Sequence, residues 1–111
     1  MNNRLLSLLG MARRCGKMSA GFDAVCDAVK AGQSSVILIS SDIAPRSERN
    51  IQYAVQNTGV RVVKVQEGKA LLGHAMGLAP TAIVSLNEKG FAAKALRLAI
   101  EATDSTEHPV L

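Results

Sequence analysis

The sequence is poor in aromatic residues. Only Phe22, Tyr53 and Phe91 of its 111 residues carry an aromatic ring, and tryptophan is absent. Proteins that hold single-stranded nucleic acid by stacking base after base need several such rings. The composition therefore disfavours binding by repeated base stacking.

Cysteine and histidine are equally scarce. Cys15 and Cys26 have neither the CxxC spacing nor the clustered histidines of a metal site, so we expect two reduced structural thiols. His74 has no carboxylate at a ligand spacing, and His108 lies in a polar C-terminal segment. We therefore expect neither a metal ion nor a small-molecule cofactor.

Long hydrophobic runs are also missing. Apolar stretches such as Val36–Ile39 fall far short of the roughly 20 residues that a membrane-spanning helix needs. The leucine-rich N-terminal segment lacks the unbroken apolar run and small-residue cleavage site of a secretory signal. These patterns predict a cytoplasmic protein without a membrane partner.

Positive charge is in excess, with 13 Lys and Arg against nine Asp and Glu. All the basic residues lie within residues 1–100, whereas Glu101, Asp104 and Glu107 fall in the last eleven residues. A basic body with a short acidic tail favours a polyanionic partner. A solvated basic surface without such a partner is the common alternative.

Apolar residues at helical spacing alternate along the chain with short β-branched runs. Helices are predicted at about 3–14, from near Ser19 to Gly32, from Pro45 to just before Gly59, at 69–76 and at 88–102. Strands are predicted at 36–40, 60–65 and 81–86. The alternation predicts an α/β fold with helices on both faces of the sheet. We expect a single domain over residues 1–102 and a short, flexible acidic tail over 103–111.

No motif indicates an enzyme. Gly10–Met18 resembles a phosphate-binding loop, but five residues separate its glycines instead of four, and Met18 replaces the hydroxyl that would bind magnesium. Asp23 and Asp27 lie four residues apart on a predicted helix, which is more typical of a solvated surface than of an acid/base pair. Asp42 follows a predicted strand, as in phosphate-accepting signalling domains, but those domains open with a strand and this chain opens with a helix. We therefore expect no catalytic activity.

The segment between the first two predicted helices is basic and contains glycines. Arg14 and Lys17 lie in it, and Gly21 directly precedes the apolar pattern of the second helix. Because unpaired backbone N–H groups at a helix start attract phosphate, the segment is a candidate anion contact. A plain helix–helix turn that needs glycine for its geometry accounts for the same residues.

Four segments occur in a recognisable order. They are Leu8–Lys17 (LLGMARRCGK), Ser19–Gly21 (SAG), Asp27–Gly32 (DAVKAG) and Leu72–Gly77 (LGHAMG). Together they resemble the bacterial YlxQ-like branch of the ribosomal L7Ae/L30e superfamily over about Arg4 to Leu98. The resemblance implies a three-layer α-β-α sandwich around a central four-stranded mixed sheet. The fourth strand would lie near Lys17 and Met18, where periodicity shows none. The resemblance also implies binding of kink-turn or similarly bent RNA without catalysis.

The resemblance implies RNA-binding positions residue by residue. Gly21 matches a glycine that lets RNA approach the backbone, and Gly77–Thr81 (GLAPT) matches an apolar loop that packs against an extruded nucleotide. Three base-reading positions depart from the family pattern: Asp23 replaces a typical Asn, Ala24 a Glu and Asp27 a Lys. Asp23 can still accept a hydrogen bond from guanine, whereas Asp27 opposes a phosphate.

We therefore predict a ribosomal-protein-like protein that binds structured or ribosomal RNA, with the ribosome as a partner. The predicted RNA-binding residues are Arg14, Lys17, Gly21, Phe22, Asp23, Lys30, Ala79 and Pro80. In this prediction the cations contact phosphates, the start of the second helix lets RNA approach, and Ala79 with Pro80 forms an apolar platform. The alternative is a protein-interaction module that uses the same fold and face but has lost specific RNA readout.

Overall fold

The computed structural model describes residues 3–107, which form five helices and four strands. The helices are α1 (Asn3–Arg14), α2 (Phe22–Lys30), α3 (Pro45–Ala54), α4 (Lys69–Ala75) and α5 (Lys89–Glu107). The strands are β1 (Met18–Ala20), β2 (Val36–Ile39), β3 (Arg61–Lys64) and β4 (Ile83–Leu86). In this part of the chain no helix is long and apolar enough to cross a membrane.

The four strands form one mixed sheet in the order β1-β4-β2-β3. Strand β4 pairs antiparallel with both β1 and β2, and β2 pairs parallel with β3. The two central strands, β2 and β4, are buried at every position. Because successive side chains of a strand point to opposite faces, these strands require a layer of helices on each face.

Each face of the sheet has its own hydrophobic cluster. Val36 and Leu38 of β2 pack with apolar residues of α1, α4 and α5. Ile37 and Ile39 pack on the other face with residues of α2 and α3. The predicted three-layer α-β-α sandwich around a four-stranded mixed sheet is therefore confirmed.

Several element boundaries differ from the sequence prediction: α3 ends at Ala54 rather than just before Gly59, and β4 begins at Ile83 rather than at residue 81. The second helix does not begin near Ser19, because Ser19 lies in β1 opposite Ser85. A three-residue strand is too short to show an alternating pattern, so the periodicity misses it and only the family resemblance indicates it. Helix α5 continues past the predicted end at Ala102 to Glu107, and no glycine or proline interrupts the chain before Pro109. Residues 108–111 lie outside the described residues, and the flexible tail remains a prediction.

The segment that follows α4, residues 78–82, lies directly against that helix, and we call it the apolar loop. The backbone N–H of Leu78 donates to the carbonyl oxygen of Gly73 at 2.8 Å, and that of Thr81 donates to Lys69 at 3.0 Å. A Cβ atom on Gly73 would lie 2.1 Å from the carbonyl oxygen of Ala79. Only glycine at this position allows the loop to approach α4 so closely.

Gly73→Ala therefore tests how tightly the apolar loop is packed. We expect it to lower the free energy of unfolding by about 1–3 kcal/mol or more, because the backbone must shift to admit the methyl group. Gly90→Ala is the matched control, since its Cβ would meet only the flexible Glu88 carboxylate, at 2.6 Å. The control should change the free energy of unfolding by no more than about 1 kcal/mol. Equal effects of the two substitutions in urea titrations would contradict this account.

The start of α4 is fixed by Asp42, which lies in the segment after β2. Its Oδ1 atom accepts a hydrogen bond from the backbone N–H of Lys69 at 2.9 Å. This bond is the main reason that the pKa of Asp42 lies below its usual value, and the Ser40 hydroxyl adds to the effect. The carboxylate thus holds the first residue of α4 beside the end of β2.

The lowered pKa of Asp42 makes the stability of the protein depend on pH. The ionised carboxylate stabilises the fold above the unfolded-state pKa, and this contribution is lost as the pH falls through the lower folded-state value. Asp42→Asn removes the charge and keeps an acceptor oxygen. We expect a lower urea midpoint than in the parent at neutral pH, and a smaller deficit as the pH falls below the usual aspartate pKa of about 3.9. A deficit that is the same at both pH values would show that charge at Asp42 is unimportant.

Candidate functional site

A shallow groove of about 470 Å³ lies where β1 runs into α2. One wall is the junction between these elements, and the other is the apolar loop, residues 78–82, with Ser47 from the first turn of α3 at the side. Four of the predicted RNA-binding residues line this groove, namely Gly21, Phe22, Ala79 and Pro80. The structure therefore brings together two segments that are far apart in the sequence.

Gly21 joins β1 to α2 in a conformation that side chains disfavour. Its φ and ψ are 90° and 158°, close to the region that is essentially restricted to glycine. A Cβ atom here would meet no other atom within 4 Å, so the backbone faces open space. Next to it, the first-turn N–H groups of α2 have no partner within the helix, and the positive end of the helix dipole lies here. This junction can accept a negatively charged or hydrogen-bond-accepting group.

Side chains hold the strand that leads to Gly21. The Nδ2 group of Asn87 donates to the hydroxyl of Ser19 in β1 at 2.9 Å, and the Asn87 Oδ1 atom lies 2.6 Å from the Ser85 hydroxyl. The Ser34 hydroxyl is 2.7 Å from that of Ser85. Because an amide oxygen only accepts, Ser85 donates to Asn87 and accepts from Ser34. This network fixes β1, and with it Gly21, against β4.

The apolar loop is fixed in the same way. The Arg13 guanidinium donates to the carbonyl oxygen of Met76, where α4 ends, and the Thr81 hydroxyl donates to that of Ala79 at 2.8 Å. The exposed Ala79 and Pro80 therefore sit on a backbone that is held at several points. They form a preformed apolar wall opposite Phe22, whose exposed fraction is 37%.

The predicted cationic residues do not lie at this groove. The carbonyl oxygen of Lys17 accepts from Asn87, just beyond β4, whereas the N–H of Gly21 donates to Ile83 at the opposite end of β4. Gly21 lies four residues after Lys17 along extended backbone, which is about 13 Å. The prediction that Arg14 and Lys17 lie beside the start of α2 is wrong, because β1 comes between. Lys30 also lies away from Gly21, at the far end of α2.

Lys17 lines a different hollow, of about 400 Å³, at the opposite end of β1 from the groove. Lys89 from the start of α5 lies on the same hollow, together with the polar side chains of Gln33 and Asn87. Lys17 and Lys89 thus lie at one end of the β1–β4 strand pair, and the apolar groove lies at the other end.

The two aspartates that replace family residues are exposed on α2, and neither lines the groove. Between them, Cys26 is partly buried, and this burial raises the pKa of its thiol, against the attraction of Lys30. Cys26 and the exposed Cys15 are both free. Among the described residues, no three His, Cys, Asp or Glu side chains come together as a metal site requires.

Two residues that shape the groove carry no functional signal in the sequence. Ser47 lines it from α3, and a single serine in the first turn of a helix carries no signal of such a role. Arg13 and its neighbour Arg14 are both exposed, but Arg13 caps the end of α4 across 63 positions of sequence. A capping role of this kind follows only from the packing of α1 beside α4.

Comparisons with known proteins identify similar chains. The chain is 28% identical over 91 residues to the RNA-binding protein YlxQ of Bacillus subtilis, covering 82% of this chain and 90% of that protein. It superposes on a Bacillus halodurans protein of unknown function with a TM-score of 0.81 and 27% identity, covering 87% and 97% of the two chains. A 15.5 kDa RNA-binding protein of Giardia lamblia shares the fold, with a TM-score of 0.72, 20% identity and coverage of 89% and 84%.

The sequence also matches the model of a protein family over residues 3–96, which is most of the chain and includes every wall of the groove. The chain belongs to the Ribosomal protein L7Ae/L30e/S12e/Gadd45 family.

Proposed function

We propose that this protein binds structured RNA, of the kink-turn or ribosomal type, in the groove between the β1–α2 junction and the apolar loop, and that it does so without catalysis. The observation that carries the proposal is the meeting of Gly21, with its bare backbone, and the fixed Ala79-Pro80 wall in a single groove. The names of the B. subtilis and Giardia relatives, both RNA-binding proteins, support it.

The groove suits an unpaired nucleotide. Its apolar walls offer Phe22 and Pro80 to the face of a base, and bases that are splayed out of a helix stack on such side chains. The first-turn N–H groups of α2 beside Gly21 suit a phosphate or a base acceptor. A bent RNA supplies both the base and the phosphate, because the bend extrudes a nucleotide close to the phosphates of the two RNA strands.

Lys17, Lys30 and Arg14 contact the RNA further out in this proposal. Each is exposed, and Lys17 lies about 13 Å from the groove along β1, a span that one face of an RNA helix covers. These contacts are electrostatic and carry no sequence information. With Asp23, Ala24 and Asp27 at the base-reading positions, binding is weakly selective and steeply dependent on salt.

Phe22→Ala tests the groove. Stacking of one base on an aromatic ring contributes about 1–3 kcal/mol, so we expect the dissociation constant for a kink-turn RNA to rise by about 5- to 150-fold. Leu71→Ala is the matched control, because Leu71 has nearly the same exposed fraction, 39% against 37%, and does not line the groove.

Fluorescence anisotropy measures both dissociation constants, and thermal unfolding of each variant checks that both remain folded. The proposal fails if the parent does not bind the kink-turn RNA. It also fails if Leu71→Ala weakens binding as much as Phe22→Ala does.

The double variant Asp23→Asn with Asp27→Lys separates RNA binding from the protein-interaction alternative. It removes two negative charges, adds one positive charge and restores an amide donor at the base-reading position. Each exposed charge contributes about 1 kcal/mol near a phosphate, so kink-turn RNA should bind at least about tenfold more tightly at low salt.

The comparison uses a kink-turn RNA and a plain duplex at two salt concentrations. A gain confined to the kink-turn RNA supports base reading at the start of α2. An equal gain for both RNAs is only a general charge effect and favours the protein-interaction module. A variant that gains for neither RNA would place the RNA-binding surface elsewhere.

A further inference from the structure

The outer face of α3 carries an aromatic ring that no other element covers. Tyr53 has an exposed fraction of 70%, the highest of any large hydrophobic side chain in the part of the chain that the structure describes. It lines a hollow of about 400 Å³ with Pro45, Glu48, Arg49, Gln52 and Gln56, all from α3 or the residues just after it. A single exposed tyrosine is common in proteins. This tyrosine is of interest because arginines lie beside it on the helix.

Two arginines share this face with Tyr53. Arg46, Arg49 and Tyr53 follow the three- and four-residue spacing that places side chains on one face of a helix. Glu48 is the only acidic residue of α3, and Lys64 of β3 holds it in an ion pair of 3.1 Å. Arg46 and Arg49 have no carboxylate partner among the side chains that the structure describes. The face therefore keeps an uncompensated positive charge beside an exposed ring.

The candidate RNA groove reaches one flank of the same helix. Ser47, which lines the groove, follows Arg46 in the first turn of α3 and lies about 100° around the helix axis from it. From Ser47 to Tyr53 the helix advances six residues, or about 9 Å. Stacked nucleotides rise about 3.4 Å each along a strand, so about three of them cover the axial distance alone, and a longer segment is needed to pass around the helix.

We propose that the outer face of α3, defined by Arg46, Arg49 and Tyr53, binds a single-stranded segment of the same RNA as it leaves the groove. The inference rests on the proposed RNA binding and extends it to a second contact. Arg46 and Arg49 bind phosphates, and one base stacks on Tyr53. The segment must be unpaired, because a base inside a duplex does not expose its face.

Two RNAs test this inference. One is a kink-turn RNA whose strands end at the duplex, and the other carries an unpaired extension of about five nucleotides, placed at the 5′ or the 3′ end, which exceeds the three that the helix distance requires. In the parent, one of the extensions should lower the dissociation constant at least fivefold, the lower limit for stacking of one base on an aromatic ring. Tyr53→Ala should abolish this gain, and Tyr53→Phe should keep it.

Arg49→Gln tests the charge. It should weaken binding of the extended RNA and reduce the slope of log affinity against log salt by about 0.7, the value for one phosphate of a single strand. Arg97→Gln is the matched control, since Arg97 is also exposed but lies on α5 in the other helix layer. It should leave the gain from the extension unchanged.

The outcomes separate this inference from the function on which it rests. If the parent binds neither RNA, the proposed RNA binding fails and the second contact fails with it. If the parent binds both RNAs equally, or Tyr53→Ala keeps the full gain, only the second contact is overturned. A dimer in sedimentation equilibrium that Tyr53→Ala dissociates would identify the face as a contact between two copies of the chain and would also overturn the inference.

Discussion

The burial of β2 and β4 on both faces is the constraint on which the rest of the structure depends. Val36–Ile39 and Ile83–Leu86, apart from the hydrogen-bonded Ser85, place side chains alternately into two hydrophobic clusters, so neither layer of helices can be removed without exposing half of each strand to water. The helices that cover these strands also position the groove. Its floor begins where β4 begins, and its walls come from segments that enter or leave the two layers.

The groove differs from the core in how it is held. Hydrogen bonds between polar groups fix its walls: Arg13 to Met76, Thr81 to Ala79, and the network that joins Ser19 to Asn87. Apolar residues that are exposed in the groove cannot also be held in place by burial. The hydrogen bonds of the backbone behind them hold them instead. The close approach at Gly73 completes this arrangement, because it removes any space in which the apolar loop could shift.

The sequence predicts the elements that are long or strongly periodic. Helix α1 has the predicted bounds, and β2 lies within one residue of them, because each carries a regular apolar pattern. Strand β1 carries no such pattern, and that omission misplaces Lys17 relative to Gly21. The family resemblance identifies Gly21 and the Ala79-Pro80 wall, which the structure brings together. Ser47 was not predictable, because its place beside them results from the packing of α3 against α2 and not from any local pattern.

The exposed edge of the sheet bears on self-association. Strand β3 has an unpaired side, and its first and last residues, Arg61 and Lys64, are both exposed and positively charged. Pairing of two copies along this edge would bring both cations of each copy into a seam only four residues long, where Lys64 has Glu48 as its partner and Arg61 has no carboxylate partner among the described side chains. The edge therefore resists strand addition by another copy of the protein.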